Sequence, residues 1–194
     1  MFKTELAYNI YLIIILMTIG CQNISVPKPK AFLKLEYPIA KYQKVKPKLP
    51  LSFDKNEISS IKIVQNNNRV EGINLEYKPL KAVVYISYKT VEKNLEDLIK
   101  SSVAITQQHA KIAHSISEKE FSDDMNNIYG KIYDLSGPVA SQIQFYVTDK
   151  SKHFLSGTVY FNIKPNYDSI FPAVRYLQAD VVRLMESLEW TQLP

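Results

Sequence analysis

The residue types best suited to catalysis are concentrated in the last third of this 194-residue chain. The stretch SQIQFYVTDKSKHFLSGTVYFNIKPNYDSIFP, residues 141–172, contains Asp149, His153 and Asp168 among several serines. A carboxylate, an imidazole and a hydroxyl are the components of a hydrolytic triad, provided that they converge on one substrate atom. A hydrolase is therefore one hypothesis for the function of this stretch.

The elements predicted for this stretch separate its candidate residues. Residues 141–148 and 153–163 both alternate apolar and polar side chains, and the DKSK sequence between them favours a β-hairpin. Asp149 then lies in the hairpin loop and Asp168 at the start of a helix, where aspartate bonds to local backbone groups. Asp168 is expected roughly 30 Å from His153, at ~3.3 Å per strand residue. We therefore interpret both aspartates as structural residues.

The chain lacks the sequence motifs that would complete an active site. It has no G-x-S-x-G nucleophile elbow, no H-E-x-x-H zinc motif and no phosphate-binding loop, and it contains five glycines in all. His109 and His114 are not spaced as a pair on one helix face. We therefore expect a protein that is not an enzyme, with no cofactor, no metal site and no small-molecule substrate.

The single cysteine, Cys21, follows a sequence typical of a secretory signal. Lys3 lies near the start, an apolar run covers residues 10–17, and Gly20 precedes the cysteine. The run is shorter than the ~20 residues of a membrane-spanning helix. This arrangement resembles a bacterial lipoprotein signal, which implies that residues 1–20 are removed and that Cys21 carries acyl chains such as palmitate. Such a modification would anchor the protein stably in a membrane.

Residues 21–50 have the composition of an extended tether. They include five prolines and seven lysines but a single acid, and proline removes backbone donors and fixes φ. Within this segment, the AFLKLEYP stretch (residues 31–38) alternates a Phe/Lys pair with two leucines and fits a short edge strand that ends at Pro38. The net charge of +5 is localised here, and export makes nucleic acid an unexpected partner. Attraction of the lysines to anionic lipid is an alternative interpretation.

Residues 51–194 predict one globular α+β domain. Apolar residues at helical spacing predict one helix from Val91 to Ile112 and another from Ile170 to Leu188. An antiparallel sheet flanked by these two main helices is the predicted architecture. Residues that favour strands occupy seven segments, at 58–64, 73–77, 81–89, 116–121, 127–135, 141–148 and 153–163.

Three stretches resemble the gliding-motility lipoprotein GldD family of Bacteroidetes. They are VPKPKAFLKLEYP after the cysteine, YISYK, and the long block from Ser141 to Trp190. Lys150, Ser156 and Thr158 depart from the family pattern, in which serine, arginine and alanine are expected. The order of strands and helices is also similar to the Mog1/PsbP-like α/β/α sandwich, a fold-level analogy that gives no function by itself.

The resemblance implies a non-catalytic, lipid-anchored cell-envelope protein of the gliding-motility machinery and of the linked type IX protein secretion. It would face the periplasm, and its expected partners are the membrane, through the lipid on Cys21, and other proteins of the machinery. The expected docking surfaces are the Gln142/Gln144/Tyr146 face, if helices leave it open, and the Asp149–His153 loop. The alternative is a small envelope hydrolase, indicated by a deep cleft at that loop, or a ligand-carrier lipoprotein, indicated by an apolar cavity of roughly several hundred Å³.

Overall fold

The described residues form two antiparallel sheets, two α-helices and one short 3-10 helix, Lys78–Leu80. A computed structural model describes residues 37–67, 69–162 and 167–192. The predicted α+β class with antiparallel sheets and two main helices is confirmed. The elements in chain order are β1 (Tyr42–Val45), β2 (Leu51–Asn56), β3 (Ser60–Asn66), β4 (Arg69–Tyr77), β5 (Ala82–Thr90), α1 (Leu95–Ala110), β6 (Ser115–Asp123), β7 (Ile128–Ser136), β8 (Ser141–Thr148), β9 (His153–Phe161), α2 (Tyr167–Glu186) and β10 (Glu189–Trp190).

The larger sheet has seven strands in the order β3-β4-β5-β9-β8-β7-β6, and each pair of neighbours is antiparallel. Strands β8 and β9 form the predicted hairpin, with Val147 opposite Leu155 and Phe145 opposite Gly157. All residues of β8 are buried, which indicates that both faces of the sheet are covered here.

The two helices cover opposite faces of this sheet. Phe145 and Val147 of β8 lie in the main core with residues of α2, whereas Tyr146 between them packs with Leu98 of α1. Neighbouring residues of a strand point to opposite faces. The layers are therefore helix, sheet and helix, with the larger core on the α2 side.

Gly157 accommodates a close packing contact in the middle of β9. Its position in a strand predicts either a bulge or a close approach, and the structure shows the approach. A Cβ at this position would lie 2.3 Å from the ring of Phe145, whereas the irregularity in the β8–β9 pairing lies between Ser141 and Ile143. The missing side chain thus makes room for a buried aromatic ring on the paired strand.

The first helix begins later than its sequence predicts. α1 starts after Asn94, not after Thr90, because Lys93 adopts a left-handed φ of 60° and the Asn94 side chain accepts the N–H of Glu92. The helix also ends at Ala110, before Ile112, which is 54% exposed. Within α1, Thr106 is 4% and Ile105 40% exposed, so the face that contacts the sheet is rotated from the apolar stripe.

The second helix has the predicted apolar stripe. Asp168 lies in its first turn, where a carboxylate interacts favourably with the helix dipole. Pro172 lies inside the helix. Neither of the two described α-helices has the length and hydropathy of a membrane span. The buried residues of the predicted stripe are Ile170, Val174, Leu177, Val181 and Leu184.

A small three-stranded sheet, in the order β1-β2-β10, is a feature that the sequence did not predict. Composition predicts a tether through residue 50, but Tyr42 in β1 pairs opposite Asn56 and Leu49 is 2% exposed. The folded part therefore begins earlier than predicted. The predicted signal peptide and residues 21–36 of the tether lie outside the described residues.

Candidate functional site

Asp149 organises the turn between β8 and β9. Its Oδ1 accepts the backbone N–H groups of Ser151, Lys152 and His153 at 2.9, 2.7 and 2.8 Å, and its Oδ2 accepts the Ser151 hydroxyl at 2.8 Å. Burial by itself would raise the pKa of this carboxyl, but the hydrogen bonds outweigh burial and lower the pKa to about 2. A carboxylate with this pKa and these partners is a poor general base near neutral pH.

The His153 imidazole is held by residues other than Asp149. Its Nδ1 lies 2.8 Å from the Tyr88 hydroxyl oxygen, and its ring stacks on Trp190 with centroids 4.9 Å apart. Burial lowers the pKa of His153 more than the nearby Asp149 raises it. The Trp190 indole N–H donates to the backbone oxygen of Asn127 at 3.2 Å. His153 of β9 therefore contacts β5 through Tyr88 and β10 through Trp190. Neither of these contacts involves a serine.

The structure does not bring Asp168 to this loop. Asp168 lies in the first turn of α2, after the end of β9 that is remote from His153. The nine residues of β9 span roughly 26 Å at ~3.3 Å per residue. The order of these two elements supports the predicted separation of Asp168 from His153.

Among the residues that the structure describes, no group of three or more His, Cys, Asp or Glu is placed to hold a metal ion.

Asp149 and His153 nevertheless line one open cleft of about 690 Å³, together with Glu189 and Trp190. A cleft that holds both side chains is what a hydrolase with its active site at this loop would require. However, the Ser151 hydroxyl donates to Asp149, and this carboxylate already accepts three backbone N–H groups of the turn. A nucleophile needs a base within hydrogen-bond reach that a third group orients. The cleft is thus a polar surface feature without an activated serine.

A second groove, of about 520 Å³, lies between α1 and the β6–β8 part of the sheet. Its lining includes Leu95 and Ile99 of α1 and Phe121 of β6. Lys150 also lines it and extends over the Tyr129 ring, with its Nζ 3.2 Å from the ring centroid. The volume falls in the range of small-molecule sites. Another groove, of about 590 Å³ and lined by Leu49, Val70 and Leu98 among others, lies elsewhere on the described residues. The groove with Ile99 is thus one feature of the kind that a ligand carrier would need.

One of the two predicted docking surfaces is covered. Gln142, Gln144 and Tyr146 are 1%, 3% and 8% exposed, because α1 packs over this face. Gln144 Oε1 accepts the hydroxyl of Thr106 in α1 at 2.7 Å. Residues 150–152 of the other predicted surface are exposed. The Asp149–His153 loop therefore remains as a candidate docking surface.

A buried carboxylate in α2 is a polar feature that the sequence did not predict. Asp180 is 5% exposed and accepts hydrogen bonds from Tyr42 at 2.7 Å and from the Asn56 amide at 2.9 and 3.2 Å. Burial raises the pKa of Asp180, while these groups and Tyr77 oppose the change. The cluster fastens β1 and β2 to α2. The sole sequence signal is that Asp180 lies on the apolar face of α2, one turn after Leu177.

Fold and site together define an α+β domain whose candidate catalytic residues make turn and packing contacts, preceded by a segment with one cysteine. The sequence model described as "Gliding motility lipoprotein GldD" matches residues 22–190, and the chain belongs to this family. Membership places it among lipoproteins of gliding motility, which are membrane-anchored. A comparison with curated proteins gave no match. Cys21, the predicted lipidation site, immediately precedes the matched range and lies outside the described residues.

Proposed function

We propose that this chain is a non-catalytic component of the gliding-motility machinery and of the linked type IX protein secretion, and that it faces the periplasm. The observation that carries this proposal is the family match over residues 22–190. The contacts of Asp149 and His153 support the non-catalytic role, because each side chain is engaged in a structural arrangement. The partners proposed are a membrane and other proteins of the machinery.

In this proposal, Cys21 carries the lipid and is the anchor. Each buried CH₂ of an acyl chain contributes ~0.8 kcal/mol, so two or more chains hold the protein stably. Residues 1–20 are the signal peptide, the following Lys/Pro-rich segment is the tether, and the single folded domain begins near Tyr42. A helix on each face of an antiparallel sheet also supports a Mog1/PsbP-like sandwich as the fold of that domain.

The proposed contact with other machine proteins is the loop between β8 and β9. Lys150, Ser151 and Lys152 are exposed there, and the hydrogen bonds of Asp149 fix the backbone that presents them. A rigid turn loses little conformational freedom on binding, which favours recognition. Two cations on such a turn suit a partner surface with acidic side chains.

The test is a disruption of the gene in its native host, with colony spreading and export of a type IX secretion substrate scored on the same strain. Complementation compares the wild type with Cys21→Ala and with a Lys150→Glu/Lys152→Glu loop variant. Lys111→Glu, at an exposed position after α1, is the matched charge control. Protein abundance in each strain is measured by immunoblot so that instability is recognised.

We expect the disruption to abolish spreading or export, and the wild type and Lys111→Glu to restore it. Cys21→Ala is expected to fail because the protein is no longer held at the membrane. The double loop variant is expected to fail at normal abundance. Normal spreading and export in the disrupted strain would overturn the proposal, and full function of Cys21→Ala would overturn the role of the anchor.

A ligand carrier is the second candidate, and the groove beneath α1 is the observation that favours it. Binding of a fluorescent fatty acid to the purified protein tests this function directly. Ile99→Glu places a charge in the groove lining and is expected to weaken such binding at least tenfold. The matched variant Ile63→Glu, on an edge strand outside the groove, should leave it unchanged. No binding by the wild type would remove the carrier from consideration.

A further inference from the structure

One edge of the seven-stranded sheet is both open and apolar. Among the described strands, β3 pairs with β4 alone. Ile61 and Ile63 lie opposite Leu75 and Ile73, which are core residues on the α2 face. Ile63 is 37% and the neighbouring Val64 39% exposed. The outward N–H and C=O groups of such an edge are a template for another strand.

The other edge of the same sheet is protected by charge. Strand β6 carries the sequence SISEKEFSD, in which Glu118 and Glu120 form ion pairs with Lys131 at 3.6 and 3.1 Å. Charged side chains are a common means of keeping an edge strand from pairing. Strand β3, with the sequence SIKIVQN, has one charged residue. Strand β3 therefore lacks the charged side chains that keep β6 from pairing, which favours the pairing of another strand with β3.

The path of the chain before β1 leads to this edge. The carbonyl of Lys41 accepts the N–H of Glu57 at 2.8 Å, which extends the antiparallel β1–β2 pairing towards β3. The ring of Tyr37 stacks on Tyr176 of α2, with centroids 5.2 Å apart, and the Tyr176 hydroxyl accepts a hydrogen bond from Asn56 at 2.9 Å. Tyr37 therefore lies near the start of β3 and on the α2 face.

We propose that residues 32–36 of the same chain dock on the β3 edge as an additional antiparallel strand. Alternate residues of a strand share a face, so an extended continuation from Tyr37 places Leu33 and Leu35 on the α2 side. Continuing the register of the β1–β2 pairs puts Leu35 opposite Ile63. Leu35 then covers the apolar surface that Ile63 exposes, and Leu33 follows on the same face, opposite Gln65.

The polar residues of the segment fit the same register. Phe32, Lys34 and Glu36 fall on the opposite face, to which Lys62 of β3 also points. Glu36 and Lys62 then carry opposite charges on one face of neighbouring strands, an arrangement that stabilises a strand pair. Pro38 ends the added strand, since it has no N–H to donate.

Docking would shorten the tether of the proposed lipoprotein. The free chain would run from Cys21 to Ala31, about 35–40 Å when fully extended. This consequence depends on the proposed anchor, whereas the docking itself rests on the β3 edge and the Tyr37 contact. A negative result for docking would leave the outcome of the gene disruption unaffected, so the two proposals fail separately.

Disulfide trapping in the full chain tests the docking and its register. In a Cys21→Ser background, Leu35→Cys is combined with Ile63→Cys, because opposed residues of antiparallel strands lie ~4.5–5.5 Å apart, within disulfide range. Lys34→Cys with Ile63→Cys is the matched control, since its two side chains point to opposite faces. We expect an intramolecular disulfide to form at least tenfold faster in the first pair, as measured by mass spectrometry of non-reduced peptides.

Hydrogen exchange of the otherwise unaltered chain gives an independent measurement. Leu35→Pro is expected to increase exchange of the β3 amides about tenfold or more, whereas Val26→Pro, in the preceding proline-rich part, is not. Equal trapping rates for the two cysteine pairs, or β3 exchange unchanged by Leu35→Pro, would overturn the proposal. An Ile63→Cys disulfide between two copies would overturn it in favour of a second copy on the edge.

Discussion

Asp149→Asn tests whether the acidic residue of the β8–β9 loop is structural. The carboxylate accepts three backbone N–H groups and one hydroxyl. An asparagine oxygen can accept some of these bonds, but without the negative charge that makes them about twice as strong. We therefore expect the variant to fold with the same topology and to be less stable at neutral pH.

The magnitude follows from the pKa of Asp149. The folded value of about 2 compares with ~3.9 in the unfolded chain, a difference worth roughly 2.6 kcal/mol. Because the side chain is partly exposed, solvent screening reduces this to about 1–2 kcal/mol. The folded pKa is the lower one, so this stability is present above about pH 4 and is lost as the pH falls through about 2.

Urea unfolding of the wild type and of Asp149→Asn at several pH values between 7 and 2 measures this difference. The single tryptophan, Trp190, stacks on His153 at the end of the same loop and supplies the fluorescence signal. Glu186→Gln removes a carboxylate from an exposed position of α2 and should change the free energy of unfolding by less than about 0.5 kcal/mol. A gap between wild type and Asp149→Asn that persists unchanged at pH 2 would refute the reasoning. So would unchanged stability combined with loss of gliding, which would make Asp149 a functional residue.

Three further predictions concern packing and buried charge. Gly157→Ala places a Cβ 2.3 Å from the ring of Phe145 and should cost about 1–3 kcal/mol in urea unfolding; a cost near zero would show that the ring moves freely. Asp180→Ala leaves buried donors without their acceptor and should cost about 2–4 kcal/mol, with thermal unfolding as the measurement and an unchanged Tm as the contradicting result. Because burial lowers the pKa of His153, the unfolded state binds more protons below pH ~6.5, so stability should fall as the pH drops below that value. His153→Phe should lose this pH dependence, and an equal dependence in both proteins would assign it to other groups.

The larger sheet could be predicted because its strands carry local signals. Alternation in residues 141–148 and 153–161 defines two faces, and the DKSK sequence between them defines a hairpin, so neither depends on distant residues. The register places Phe145 opposite Gly157, in agreement with the faces read from the sequence. Helix ends were less predictable, since the left-handed φ of Lys93 has no signal in its residue type.

The three-stranded sheet could not be predicted, because its contacts join residues far apart in the chain. β10 has two residues, too few for a periodic pattern, and Tyr42 meets Asp180 across 138 positions. Lys44 likewise pairs with Glu189 at 2.5 Å. Lysines and prolines around β1 have the composition of a tether, and the pairing partner that makes this segment a strand is remote in sequence.

Residue types in the β8–β9 loop suggested acid–base chemistry because turns and active sites draw on the same side chains. Aspartate and serine bond to backbone groups in turns, and histidine packs well against an aromatic ring. What separates the two roles is the partner of each polar atom. Asp149 accepts the backbone of the loop, and His153 contacts Tyr88 and Trp190. The assignment to gliding motility accordingly depends on the match over residues 22–190, while the geometry of the loop shows a turn that Asp149 holds in place.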